Sequence, residues 1–357
     1  MFENREIEFP QRITKFLQYR LKEVKAQYGE NSPEYRSLAL QYIYDVREDN
    51  PTVEHNAKHY EAGVHVDGGK NVERLYQHHC CIEMAFNCLA NCRYCLRSNY
   101  DRFTLTEEQM DANAAYLRSI KAEEVLLTGG DPLLNLRRLR FFTDKIVDTV
   151  PTMRIIRIAT RVFTQDPEVL SDDVVTFLAK LKERVRVEVA TQVNSAVELQ
   201  YSEVRHAFEK VLALGIPVYA QNVFLKGVND TPEQLINLYH EMRMVGIEAH
   251  YLFHCIPMRG IHHLRPSVDR MIYCYEQLVN SGHITGRSKP ILAIMSQIGK
   301  ITLTPNNYRK LDNGYVQLRS NYKYADRIAY NPKWEIPEDA FVDENGYLWI
   351  NYLDGED

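Results

Sequence analysis

The sequence predicts an α/β protein: a partial (β/α)6 barrel of the TIM type, with an N-terminal helical extension and a small β-containing C-terminal segment. Two observations carry this. From Gln77 onward, short apolar runs alternate with helix-length amphipathic stretches, the pattern of repeated β-α units around a parallel sheet. At 357 residues, 45% hydrophobic and 25% charged, the chain is also long enough for one barrel-sized core with extensions. The boundaries fall at 1–70 for the helical extension, 71–265 for the barrel and 266–357 for the C-terminal segment.

In the extension, Ile13, Phe16, Leu17, Leu21, Val24 and Tyr28 recur at helical intervals, and Gly29 is placed to end that helix. Ser32-Pro33 offers an N-cap and a first-turn proline for a second helix through Tyr44. Residues from about Asp45 to Lys70 read as an irregular connection. Six strand candidates follow: Cys80–Phe86, Glu124–Thr128, Ile155–Thr160, Val185–Ala190, Ile216–Val223 and His250–His254. Between them, Thr106 with Gln109 forms a capping box, and Thr231-Pro232-Glu233-Gln234 sets out a cap, a proline and a reciprocal glutamine. In the tail, Tyr315–Arg319 and a hairpin at Asn345-Gly346 lead into the aromatic strand Tyr347–Tyr352, to be buried by a small lid or by contact with another copy. The second option, a homo-oligomer, is preferred.

The formal net charge of -5 and the lack of a long basic run argue against a nucleic-acid surface. No apolar stretch reaches membrane-spanning length and the N-terminus lacks the order of a signal peptide, so a cytoplasmic location is expected. Seven cysteines, five of them within residues 80–95, do not form a disulfide framework. Cys80 and Cys81 read as buried strand residues.

Cys88, Cys92 and Cys95 have the spacing C-x3-C-x2-C. Three thiolates from one loop suit three irons of a cubane iron–sulfur cluster and leave the fourth iron open. A structural zinc site would want four ligands, and no second cysteine pair follows at knuckle spacing. One β-α unit later stands Thr128-Gly129-Gly130-Asp131. A glycine pair at a strand end is either a tight turn or a place where backbone comes close to a ligand.

Together these motifs resemble the radical S-adenosylmethionine (SAM) superfamily. The segments Ile155–Arg161, Leu214–Asp230 and Gly260–Arg265 narrow the resemblance to the lysine 2,3-aminomutase family, over roughly residues 77–308. The resemblance implies a [4Fe-4S] cluster on the three cysteines, and S-adenosylmethionine held by Gly129, Gly130, Asp131 and Gln221. It further implies pyridoxal 5′-phosphate on Lys300 within Ser296–Tyr308, where the alternative is a surface lysine at the start of a strand. Arg97 would grip the α-carboxylate of an amino acid substrate, or else only brace the cysteine loop. Arg74 and Tyr76 correspond, with a one-residue shift, to phosphate-contacting residues. A reductant such as flavodoxin or ferredoxin is implied as well.

The expected activity is a 2,3-aminomutase, an isomerase moving the α-amino group of an L-amino acid to the β-carbon. The family's lysine-specific members carry two aspartates where this chain has Ile256 and Ala293, so lysine is expected to be a poor substrate. An acidic substrate would need Arg259 or His254 to turn inward. The structural zinc cysteines that such members can carry after the barrel are absent beyond Cys274. The alternative is a radical SAM epimerase or dehydrogenase that works without pyridoxal phosphate; a non-catalytic metal-binding module leaves Gly129-Gly130-Asp131 and Lys300 unexplained.

Overall fold

The computed structural model describes residues 10–49, 69–96 and 103–357. Helix α1 (Lys15–Tyr28) starts where Thr14 accepts from the Leu17 N–H, and stops at Gly29 with φ +90°. Helix α2 (Pro33–Tyr42) is capped by Ser32 and ends short of Tyr44, because Ile43 is extended. Leu17, Leu21, Val24, Leu38 and Tyr42 pack as a separate small core that also includes Ala90 of the cysteine loop. Most of the connection expected between Asp45 and Lys70 lies outside the described residues.

One nine-stranded sheet follows, with its strands side by side in sequence order. Strand β1 (Val72–Tyr76) is antiparallel to β2 (His79–Ala85). From β2 the sheet runs parallel through β3 (Glu124–Gly129), β4 (Ile155–Ala159), β5 (Arg186–Thr191), β6 (Val218–Phe224), β7 (Glu248–His254) and β8 (Ile291–Ser296). Strand β9 (Gly299–Thr302) returns antiparallel to β8. The six expected strands are present with small shifts at their ends. The parallel strand β8 is additional: Ile291-Leu-Ala-Ile-Met-Ser is a short apolar run with no alternation, which periodicity alone cannot assign.

Parallel order is connected by helices: α3 (Glu107–Ser119), α4 (Leu136–Thr149), the short α5 (Val162–Gln165), α6 (Asp172–Lys182), α7 (Ser202–Ala213), α8 (Pro232–Val245) and α9 (Val268–Asn280). The capping box of Thr106 and Gln109 closes at the start of α3. At α8, Thr231 caps the Gln234 N–H, but the Gln234 side chain does not reach back; its Oε1 is buried without a partner. Outward side chains of the strands, such as Ile82, Val125, Ile156, Val187, Val218 and Leu292, form the main core with the helices.

The inward rows are different. Arg157 of β4 lies 3.0 Å from Glu124 of β3 and 2.7 Å from Glu188 of β5, and His79 of β2 is 3.4 Å from Glu124. A barrel interior is usually filled by branched apolar side chains, so a charged layer at this level marks a chamber that remains polar. The sheet curls until its two edges face one another: Lys300 on β9 is 5.5 Å from the Tyr76 ring on β1.

Beyond the barrel, β10 (Tyr308–Lys310), β11 (Tyr315–Lys323), β13 (Tyr347–Leu353) and β12 (Ala340–Val342) form an antiparallel sheet in that order, with α10 (Tyr324–Tyr330) following β11. The expected hairpin turns at Gly346, with φ +84°. Leu348, Trp349, Ile350 and Tyr352 are buried within the chain itself. The aromatic tail therefore needs no second copy to cover it, and the argument from this tail to an oligomer falls. Arg265 fixes the end of β13 by donating to the carbonyls of Leu353 (2.6 Å) and Asp354 (3.0 Å). Among the described residues no helix is long and apolar enough to cross a membrane.

Candidate functional site

The cysteine loop leaves the C-terminal end of β2, and the Gly-Gly turn leaves the end of the neighbouring β3. Gly130 N–H donates to the Ala85 carbonyl, and Asp131 N–H donates to the Asn87 carbonyl at 2.7 Å. A Cβ on Gly129 would stand 2.4 Å from the Ala85 oxygen, and one on Gly130 2.0 Å from the Asn87 oxygen. Glycine is thus required here by the backbone approach of the cysteine loop, and Gly129 also has φ +114°. The turn is pressed against the loop from Ala85 to Asn87.

The Asp131 carboxylate points toward the end of β4. It accepts from the Thr160 hydroxyl (2.8 and 2.9 Å), the Arg161 N–H (2.8 Å) and the Leu133 N–H (3.1 Å). Burial lifts its pKa to about 6 against the pull of those donors. The next residue, Arg161, reaches the cysteine loop: its Nη1 is 2.9 Å from Cys92 Sγ and 2.5 Å from the Tyr94 hydroxyl. Gln165 Nε2 lies 3.4 Å from the same sulfur. Thr160, Arg161 and Gln165 therefore tie the cysteine loop and the Asp131 turn to one strand end.

None of the seven cysteines is in a disulfide, and Cys88, Cys92 and Cys95 are half-buried. Three cysteine sulfurs on one loop, with the donors of Arg161 and Gln165 aimed at Cys92, are a ligand set whose chemistry fits an iron–sulfur cluster. Among the described residues no three His, Cys, Asp or Glu side chains converge at metal-holding distance. Cys80 and Cys81 are buried on β2, and burial raises the Cys80 thiol to about 12. Arg97 lies outside the described residues.

Gln221 is on β6, opposite Tyr251 of β7. Its carbonyl accepts from Gln192 Nε2 (3.2 Å), and the Gln192 Oε1 accepts from the Tyr94 hydroxyl (2.8 Å), which connects β6 to the cysteine loop. Lys300 pairs across β9 and β8 with Met295, and its Nζ is 4.1 Å from the Tyr251 ring centroid. A half-buried primary amine walled by two tyrosines on the barrel interior fits a pyridoxal phosphate lysine. Nearby His250 has its pKa pushed down to about 4, by burial first and then by the Arg157 and Lys300 cations. Arg74 does not join this group: a bulge between Arg74 and Tyr76 sets them opposite Cys80 and His79, and the Arg74 side chain donates to the Gln77 carbonyl and covers the Tyr330 ring.

Ala293 is fully buried on β8, opposite Phe253 and Thr302. Ile256 packs with an apolar cluster that contains Tyr94, Leu225, Cys255 and Met258. His254 does not turn inward. Its Nε2–H donates to the Pro266 carbonyl (2.7 Å), and the Tyr352 hydroxyl lies 2.8 Å from its Nδ1.

A sequence profile described as the Radical SAM superfamily matches residues 82–239. The chain is 30% identical over 259 residues to the L-lysine 2,3-aminomutase of Bacillus subtilis, covering 71% of this chain and 54% of that protein. It is 29% identical over 273 residues to the L-lysine 2,3-aminomutase of Acetoanaerobium sticklandii, covering 74% and 64%. Residues 82–239 are a radical SAM domain, and the chain is similar to lysine 2,3-aminomutases within that superfamily. It spans little more than half the length of the Bacillus relative. Among solved structures, a radical SAM methyltransferase from Sphaerobacter thermophilus overlaps 62% of this chain and 68% of its own, at 17% identity and a TM-score of 0.44.

The residues that sequence reasoning missed are those that join the motifs: Gln41, Tyr94, Arg161, Gln165 and Glu198. Arg161 stood at the end of a family-like segment, but nothing in the sequence linked it to a cysteine 69 positions away.

Proposed function

We propose that this radical SAM protein is a pyridoxal-phosphate-dependent amino acid 2,3-aminomutase. The observation that carries the proposal is the single hydrogen-bonded neighbourhood joining Cys92, Asp131 and Gln192 to the Gln221 carbonyl on β6, with Lys300 lying over Tyr251 of the neighbouring β7. Under this reading Cys88, Cys92 and Cys95 hold the [4Fe-4S] cluster, and Gly129, Gly130, Asp131 and Gln221 hold S-adenosylmethionine. Lys300 holds pyridoxal phosphate, with Tyr76 and Tyr251 as its walls.

When bound, the cofactors would supply radical initiation and an electron-accepting π-system. The chain positions the reactants. Arg97 fixes the substrate carboxylate through two parallel hydrogen bonds, and Lys300 Nζ is both the attachment point and a proton carrier. Electrons come from a flavodoxin- or ferredoxin-type reductant, which fits a cytoplasmic enzyme.

The substrate proposed is an α-amino acid other than lysine. A lysine ammonium brought to Ile256 and Ala293 would lack a counter-charge there, at a cost on the order of several kcal/mol. An uncharged side chain meets no such penalty.

The test is anaerobic reconstitution with iron, sulfide, S-adenosylmethionine, pyridoxal phosphate and a reductant, followed by incubation with the twenty amino acids. Release of a β-amino acid other than β-lysine as the main product is the expected result. Lys300→Ala should lose visible absorption from added pyridoxal phosphate after gel filtration. Full turnover by Lys300→Ala would favour the epimerase or dehydrogenase reading instead, and no 5′-deoxyadenosine from the wild type would end the radical proposal.

A further inference from the structure

We infer that Arg161 is a positioning residue that raises the reduction potential of the cluster on the cysteine loop, acting through its contact with Cys92 Sγ. This rests on the cluster reading above. Arg161 is buried at the C-terminal end of β4, where Nη1 reaches the sulfur at 2.9 Å. Reduction adds one negative charge to a cluster already carried by thiolates. A cationic hydrogen-bond donor at one sulfur stabilises that added charge more than it stabilises the oxidised state.

The guanidinium is held in place from several directions. Nη1 also meets the Tyr94 hydroxyl (2.5 Å), while Nη2 donates to Gln41 Oε1 (2.5 Å) and Glu198 Oε2 (2.9 Å). Gln41 belongs to α2, so the N-terminal helical extension is directly part of the clamp. Its Nε2 in turn donates to Glu198 Oε1 at 3.1 Å, and that oxygen also accepts from the N–H groups of Asn194 and Ser195. Glu198 is therefore shared among several donors and neutralises Arg161 only in part. The guanidinium edge at Cys92 keeps a charge that burial leaves poorly screened. Gln165 adds a neutral donor to the same sulfur at 3.4 Å.

The opposite-sign arrangement gives a paired test on the full chain after reconstitution, with iron and sulfide counted and the midpoint followed by electron paramagnetic resonance at set potentials. Arg161→Gln should lower the reduced-to-oxidised ratio about tenfold at the potential where the wild type is half reduced, a shift of about 59 mV to more negative values. Arg161→Lys should restore most of it. Glu198→Gln, which removes the counter-charge and keeps the acceptor, should move the ratio the other way. A residue with only a structural role would change iron content or melting temperature while leaving the midpoint of the loaded fraction unmoved. An unchanged midpoint in Arg161→Gln and Glu198→Gln, or shifts of the same sign in both, overturns the inference. If Arg161→Gln takes up no iron, the Glu198→Gln shift decides alone. A wild type that takes up no iron overturns the cluster reading, and this inference with it.

Discussion

His254 is a histidine that the fold keeps neutral. Burial pushes its pKa down to about 3, and Arg265 adds to the effect while the hydrogen bond to Pro266 opposes it. In the unfolded chain the same imidazole titrates near its ordinary 6.5. Between those values the unfolded state binds a proton that the folded state refuses, so stability is complete above pH 6.5 and falls as the pH drops toward 3. The slope for one such group is roughly 1.4 kcal/mol per pH unit. Asp131 works in the other direction, since its raised pKa of about 6 makes the fold gain stability as the pH falls from 6 toward 4. Urea unfolding of wild type and His254→Gln from pH 7 to pH 4.5 should show a shallower acid decline in the variant; parallel curves would mean that His254 charges inside the fold. None of this was legible in the sequence, where His254 was a candidate for an acidic substrate. Its strand places it on the outer row, and only the packed tail supplies Tyr352.

At the scale of elements, the turn after β3 and the loop after β2 behave as one unit. The sequence identified both motifs and their order along the chain, and left the glycines as either a tight turn or a close approach to a ligand. Their first duty is to admit the backbone of residues 85–87. Gly130→Ala should therefore cost about 1–3 kcal/mol by overpacking and reduce iron uptake on reconstitution several-fold. Gly286→Ala, where a Cβ meets nothing within 4 Å, is the matching control and should leave both unchanged. Equal iron content and melting temperature in the two variants would refute this coupling. The polar interior layer makes a similar demand. Arg157 has two carboxylate partners, and Arg157→Met would leave Glu188, 4% exposed at its side chain, without the strongest of its contacts. A loss of roughly 3–5 kcal/mol in urea-derived stability is expected, whereas a loss under 1 kcal/mol would show that water or Arg186 compensates.

For the whole molecule, the C-terminal sheet is part of the fold. Leu348, Trp349, Ile350 and Tyr352 each remove most of their surface from water, on the order of 1.5–3 kcal/mol apiece. Their sum is comparable to the net stability of a typical domain. Deleting residues 340–357 should abolish cooperative unfolding and near-ultraviolet dichroism, while the intact chain should unfold at a midpoint independent of its own concentration if the tail is covered internally. A midpoint that rises with concentration would bring the oligomer back. The sequence by itself determined the barrel, the helix caps and the family, because alternation, capping and cysteine spacing are local patterns that survive without coordinates. Only the tertiary structure decided which strand end holds Cys92, that the barrel carries a seventh parallel strand, that Lys300 meets Tyr76 across the open seam, and that the tail buries itself. Those facts depend on sheet curvature and on contacts between residues far apart in the chain, and no local pattern encodes them.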